Sequence, residues 1–364
     1  MKNYTICVIL LMTVYTPIRE KQIQPAKTIQ PAENLFIITT DGFRWQELFL
    51  GADSLLINDA SVTPDAETMK MLYWDEQPEK RRKMLMPFFW KVVAGKGQVF
   101  GNRFYDNKVN VANIYSISYP GYHEIFTGKT GLSVASNDKI FNNNTNVLTY
   151  LNETEKYKGK VVAFTSWDVF PYILNEKENG FPVNSGYESM EAETAGASLI
   201  NEVQASLQKP SLSTRHDRLT FLAAREYLEQ HQPKVMFLGL GETDEFAHQS
   251  RYDLYLEQAH AVDGMIAELW HWIQTTPGYK DNTTMIITTD HGRGRRESKW
   301  SKHGMLVGGS SETWMAIVGP HIQPAGEIKQ EQQLFQKQIA QTIAELLGEE
   351  FQTDHAVAKS IPLH

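Results

Sequence analysis

Residues 285–292 read MIITTDHG, an apolar run that ends directly in Asp290 and His291, and residues 36–42 read FIITTDG, ending in Asp41. A third run, FLGLGETD at 237–244, delivers Asp244. Apolar residues on consecutive positions are the pattern of a strand covered on both faces. Five such runs are predicted as strands: Asn34–Thr40, Lys160–Thr165, Val235–Leu240, Thr284–Thr289 and Thr313–Val318. Helical spacing lies between and after them. Over Arg251–Ile273 the residues Tyr255, Ala259, Val262, Ile266, Leu269 and Ile273 recur at steps of four and three. Gln332–Leu347 carries Leu334, Ile339, Ile343 and Leu346 and stops at Gly348, a helix-ending residue. Strands alternating with helices predict an α/β fold with a mainly parallel central sheet and helices on both faces.

In such sheets the functional crevice lies outside the carboxyl ends of the strands. Asp41, Asp244 and Asp290 would then share one rim and repel one another unless cations lie between them. A single Asp after a strand is commonly just solvated. Three, two of them with a nearby His, point to a metal site. Asp244-x-x-x-His248 puts both side chains on one face if the segment is helical. Asp290-His291 sets carboxylate and imidazole side by side, and His303 follows in a WSKHG loop. Carboxylates and imidazoles without thiolate suit Zn²⁺, with Mn²⁺ or Mg²⁺ less favoured as histidines increase. His216, His231, His260, His271 and His321 are assigned to surface or packing roles.

Composition narrows the remaining choices. The 364 residues are 41% hydrophobic and 21% charged, which excludes a disordered chain and a multi-span membrane protein. Thirty-five Lys and Arg against 43 Asp and Glu give a net charge of −8, so no specific nucleic-acid binding is expected. The one cysteine is Cys7, which leaves no thiol for catalysis further along. Met1-Lys2 followed by the apolar run Tyr4–Tyr15 reads as a signal peptide over residues 1–20, too short to span a bilayer. Residues 21–32, with Pro25 and Pro31, read as a linker, and residues 33–364 as the catalytic domain. Once the leader is removed no integral membrane segment remains, and the expected location is periplasmic or secreted.

The candidate nucleophile is Ser118, in a segment that reads SISYPGYHEIFTG from Ser116 to Gly128. Pro120 and Gly121 break the preceding strand and expose the hydroxyl near a helix start, where an anion such as phosphate is favoured. Taken alone, the segment would be an ordinary turn with a solvated serine.

Together the motifs resemble the alkaline phosphatase superfamily, and within it the type I phosphodiesterase/nucleotide pyrophosphatase group. They run in order: Asp-Gly after the first strand, Ser-x-Pro ahead of Thr-Gly, Asp-x-x-x-His, Asp-His-Gly and a later His-Gly. The resemblance implies an alkaline-phosphatase-like fold and two Zn²⁺ per chain. One would be held by Asp41, Ser118, Asp290 and His291, the other by Asp244, His248 and His303. It also implies attack by Ser118 on phosphorus, a phosphoseryl intermediate, and a small-molecule phosphate ester as substrate. A side-chain amide usually holds a non-bridging oxygen in this family; Asn137 is expected here, with Asn142 to Asn144 as rivals. The diesterase branch usually has Thr where this chain has Ser118. A sulfatase signature needs Arg where Tyr122 stands, which disfavours that activity.

Phe43 and Trp167, with Trp45, Phe126 and Tyr172, are candidate aromatic contacts for an organic substituent, or equally core residues. A phosphodiesterase is therefore preferred. The alternatives are a phosphomonoesterase or phosphonate hydrolase on the same metals, and a non-catalytic zinc-stabilised binding protein. The presence of Ser118 beside all six other donors argues against the last.

Overall fold

A computed structural model describes Met1, residues 30–207 and residues 214–363. The predicted leader beyond Met1 and most of the predicted linker lie outside the described residues. Eleven strands are described: β1 (Asn34–Thr40), β2 (Gly97–Phe100), β3 (Asn107–Asn110), β4 (Val161–Thr165), β5 (Val183–Ser185), β6 (Val235–Leu240), β7 (Thr283–Thr288), β8 (Glu312–Thr313), β9 (Met315–Val318), β10 (Gly326–Glu327) and β11 (Gln332–Phe335). Eight of them form one sheet in the order β10-β2-β9-β7-β1-β6-β4-β5, and β11-β3-β8 form a small second sheet. In the large sheet β9 alone runs against its neighbours, pairing antiparallel with β7 and β2. All other pairs are parallel. The predicted α/β class with a mainly parallel sheet is the observed one.

Both faces of this sheet are buried, as the uninterrupted apolar runs require. Along β1, Phe36 and Ile38 join one core and Leu35 and Ile37 the other. β6 divides in the same way, with Met236 and Leu238 opposite Val235 and Phe237. The helix Tyr252–Thr275 covers the first face through Tyr255, Ala259, Val262, Ile266, Leu269 and Ile273. The helices Ser118–Thr127 and Ile339–Leu346 cover the second through Tyr119, Tyr122, Ile125, Phe126, Ile339 and Ile343.

Two predicted elements are corrected. Thr313–Val318 is two strands in different sheets, broken at the buried Trp314, whose indole donates to the Phe43 carbonyl at 2.9 Å. Gln332–Leu347 is α-helical only from Ile339, after a single 3-10 turn at Gln336–Gln338. Its first four residues form β11 and pair in parallel with Asn107–Asn110, so the ladder to β3 overrides the helical spacing. The other predicted strands and the helix at 251–273 shift by two residues or fewer.

Candidate active site

Register places the carboxylates. β1 lies between β6 and β7, with Thr40 opposite Leu240 and Thr39 opposite Thr288. Continuing that register by one or two residues brings Asp41 level with Gly241 and Asp290. The three strands are parallel, so Asp41, Asp290 and the start of the helix Glu242–His248 emerge at one rim. Gly42 follows with φ +59, a left-handed conformation, and a Cβ there would stand 2.8 Å from an Asp244 oxygen. Its backbone N–H donates to Asp290 Oδ1 at 3.0 Å.

Two clusters of donor atoms result. Asp41, Asp290 and His291 form a buried one, and Asp244, His248 and His303 a more open one. His291 Nε2 lies 3.4 Å from Asp41 Oδ1, 3.5 Å from Asp290 Oδ2 and 3.8 Å from Asp244 Oδ1. In the open cluster His248 Nε2 is 3.0 Å from Asp244 Oδ2 and 3.0 Å from His303 Nε2. The His291 and His303 rings stack at 4.0 Å and join the two clusters. Ser118, the first residue of its helix, is buried with Oγ 3.3 Å from His291 Nε2. All seven sequence-predicted donors are thus brought together.

The chemistry of this set fits divalent cations. Each buried carboxylate has one satisfied oxygen: Asp41 Oδ2 accepts from the Tyr122 hydroxyl and Asp290 Oδ1 from Gly42. The other oxygens, Asp41 Oδ1 and Asp290 Oδ2, are buried without a donor. His291 Nδ1 lies 2.9 Å from the Gly292 carbonyl, and His303 Nδ1 lies 3.3 Å from that of Ser116. With N–H on those nitrogens, both Nε2 lone pairs face the carboxylates. Lone pairs facing lone pairs are costly unless a cation, a metal ion or a proton, lies between them. The electrostatics agree: burial, then the Asp290 charge, pushes Asp41 well above the usual carboxylate range. Burial and the neighbouring His291, Arg293 and His248 hold His303 well below the ordinary imidazole range.

Other residues complete the site. Arg293 is fully buried and donates to the carbonyls of Gly42, Ser301 and Asp244 and to the Asp244 carboxylate. Thr243 donates its hydroxyl to the Asp41 carbonyl at 2.5 Å. Asp217 and Glu242 cap each other's helices. Asp217 accepts from Gly241 N at 2.7 Å and Glu242 N at 3.1 Å, while Glu242 accepts from Asp217 N at 2.7 Å. Asp217 thereby supplies a cap in trans to the helix carrying Asp244 and His248, whose own N-cap is Gly241. Glu124, buried in the Ser118 helix, accepts from Ala112 N at 2.9 Å and Asn113 Nδ2 at 2.7 Å, fastening the loop that leads to Ser118.

The predicted substrate contacts fare unevenly. Asn137 Oδ1 accepts from Tyr119 N at 3.0 Å, which sets its amide beside Ser118. Its rival Asn142 is buried and bonded to His123 Nδ1 at 3.0 Å, and it accepts from Asn144 Nδ2 at 2.7 Å. Trp167 is half-buried, edge-on to Phe170 at 6.2 Å, and Phe170 in turn meets Tyr122 at 4.6 Å. Phe43 is a correction. Its ring is 0% exposed between Tyr255 and Trp314, because the chain turns inward after Gly42, and it offers no surface to a substrate.

The fold and this constellation define a hydrolase of the alkaline phosphatase superfamily. The model of the type I phosphodiesterase/nucleotide pyrophosphatase family matches residues 93–307, more than half of the chain. The chain belongs to that family. No curated protein matches it in sequence. Among solved structures it resembles a mutant of the alkaline phosphatase PafA at 12% identity, over 92% of this chain and 99% of that one, with a TM-score of 0.59. It also resembles the phosphonate monoester hydrolase SpPMH from Silicibacter pomeroyi at 15% identity (88% and 74% covered, TM-score 0.55). BT1596, a 2-O GAG sulfatase, is similar at 12% identity (90% and 73% covered, TM-score 0.55). At these identities the likeness is one of fold.

Proposed function

We propose that the protein is an exported phosphodiesterase that works through Ser118 and two Zn²⁺. The observation that carries this reading is the donor set around Ser118 Oγ, in which bare carboxylate oxygens and imidazole lone pairs face one another. Asp41, Ser118, Asp290 and His291 would hold one ion, and Asp244, His248 and His303 the other. Such ions, when bound, polarise the ester phosphate and favour oxyanions at neutral pH. Ser118 Oγ attacks phosphorus, forming the Ser–O–P bond as the bond to the leaving oxygen breaks; water then cleaves the phosphoseryl ester. Asn137 donates from its amide to a non-bridging oxygen, its own carbonyl being held by Tyr119 N.

Three of the cations near the site are already engaged by the protein, which favours a diester over a monoester, although Lys302, whose charge reaches His248, is not among them. A dianionic monoester calls for cationic side chains of its own. Arg293 is bonded to Asp244, Gly42 and Ser301, Arg295 to Glu312 and Lys139 to Asp168. A singly charged diester makes no such demand. Export rests on the charged start, the short apolar run and a lone cysteine within it; N-terminal sequencing of protein recovered outside the cytoplasm tests it. Among the described residues no helix is long and apolar enough to cross a membrane.

The activity is tested by comparing kcat/KM for bis-p-nitrophenyl phosphate, p-nitrophenyl phosphate, a phenylphosphonate ester and p-nitrophenyl sulfate on metal-loaded protein. The diester should rank first. A higher value for the monoester or the sulfate would overturn the assignment.

A further inference from the structure

The two donor clusters differ in the charge that the protein itself sets against them. In the buried cluster the hydrogen bonds to the Asp41 and Asp290 carboxylates come from uncharged groups, the Tyr122 hydroxyl, the Gly42 N–H and the Thr289 hydroxyl. Asp244, the one carboxylate of the open cluster, is bonded instead to the guanidinium of Arg293. That side chain is fully buried, and its other bonds go to the carbonyls of Gly42 at 3.2 Å, Ser301 at 2.8 Å and Asp244 at 3.3 Å. Among the described residues Asp244 is the only carboxylate with which it forms an ion pair. Gly42 makes room for it, since a Cβ there would stand 2.9 Å from Arg293 Nε. A buried guanidinium stays protonated and needs an anion beside it, so the arginine is a fixed part of the open cluster. Its charge reaches His303 and Asp41 as well, without a bond to either, and the Lys302 charge reaches His248. The open cluster is also the more solvated, with His248 46% exposed and His291 0%.

We infer that Arg293 makes the two ion sites unequal: the donors Asp41, Asp290 and His291 keep a resident cation, whereas those around Asp244 take an exchangeable one whose occupancy follows the free metal concentration. The inference rests on the two-ion reading above and adds to it how that site is regulated. Asp41 and Asp290, with no cation bonded to either, leave two negative charges for a divalent ion to neutralise. Asp244 and Arg293 together carry no net charge. An ion bound there gains two imidazoles and a carboxylate that it must share with the guanidinium. Two cations then face each other across one carboxylate in a partly buried site, where their repulsion is poorly screened.

The test adds Zn²⁺ alone to chelator-stripped protein in a calorimeter, then counts the ions kept on dialysis against metal-free buffer. It uses wild type, His248→Ala and Arg293→Met, with Arg293→Gln in place of the last should that chain not fold. Wild type should bind two ions whose Kd values differ by about 100-fold or more, and keep one of them on dialysis. His248→Ala, at a half-exposed position, should lose the weaker ion and retain the tighter. Removing the Arg293 charge should shrink the separation by about tenfold or more, chiefly by tightening the weaker ion. Binding of one ion or none by wild type would sink the two-ion reading itself. Two ions of equal affinity in wild type, or loss of the tighter ion in His248→Ala, would overturn the inequality alone. An Arg293 variant that weakens both ions alike, or leaves their separation unchanged, would overturn the role given to the arginine, since that is what a merely structural residue would do.

Discussion

A Cβ on residue 121 would stand 2.4 Å from the backbone carbonyl oxygen of Asp290, so the nucleophile helix and the turn bearing two metal-site donors touch at Gly121. The helix can seat Ser118 against His291 only because that position has no side chain.

Gly121→Ala should therefore part the helix from the Asp290 turn. We expect a loss of about 1–3 kcal/mol in stability, typical of overpacking. The kcat should fall by roughly 100-fold, because a misplacement of this order at a reacting atom has that effect. Chemical denaturation and steady-state kinetics check both; a variant with wild-type kcat would show that the contact does not position Ser118.

Asp290→Asn separates charge from packing. Asp290 is fully buried beside Asp41, and its bare Oδ2 meets no donor. Removing its charge should raise the melting temperature of chelator-treated protein. Added Zn²⁺ should then stabilise the variant less than the wild type, with affinity weakened at least ~10-fold. Calorimetry with and without chelator reads both, and a variant stabilised by Zn²⁺ as strongly as wild type would count against the assignment of Asp290 as a donor.

Ser118→Ala should abolish the phosphoseryl species in acid-quenched samples and lower kcat roughly 100-fold or more. Ser118→Thr retains the hydroxyl and should keep substantial turnover. Near wild-type turnover by the alanine variant would make water the nucleophile.

Asp217 gives a pH signature. Burial, then the Glu242 charge, pushes its carboxyl up to about 7. An acid whose folded pKa lies above its unfolded value adds stability at low pH, and that stability is lost as pH rises through the folded pKa. The contribution should fade between about pH 4 and pH 7. Asp217→Asn cannot titrate, so its melting temperature should fall less from pH 4 to pH 8 than that of wild type. Parallel curves would place the pH dependence elsewhere.

The sequence is most legible where burial on both faces forces an unbroken apolar run. β1 and β6 are read from it to the residue, because their strands lie at the centre of the sheet. The donors Asp41, Asp244, Asp290 and His291 are readable for a related reason, since each follows such a run. Short strands such as β5 and β10, at the two edges, have too few residues to show a period. Gln332–Phe335 misleads because pairing with β3, over two hundred residues away, decides its conformation. Asp217 looks like any charged residue in a row of letters, and nothing in the letters around Arg293 names its partners. Their roles come from partners at Gly42, Ser301 and Gly241, which only the folded chain brings near. Phe43 misled for the opposite reason: closeness in sequence to Asp41 does not set the direction of a side chain.

The parallel arrangement of β7, β1 and β6 has a consequence for how this scaffold can change. Neighbouring strands stand about 4.8 Å apart whatever their side chains, a distance fixed by backbone hydrogen bonds. The carboxylates at their ends inherit that spacing, as teeth inherit the pitch of a comb. Residues 111–117, 129–141 and 304–308 hang outside the comb and contribute nothing to its pitch. Insertions or exchanges in those three loops can alter what approaches the serine while Asp41 and Asp290 keep their spacing; of the other donors, His303, held through the Ser116 carbonyl, would move with the first loop.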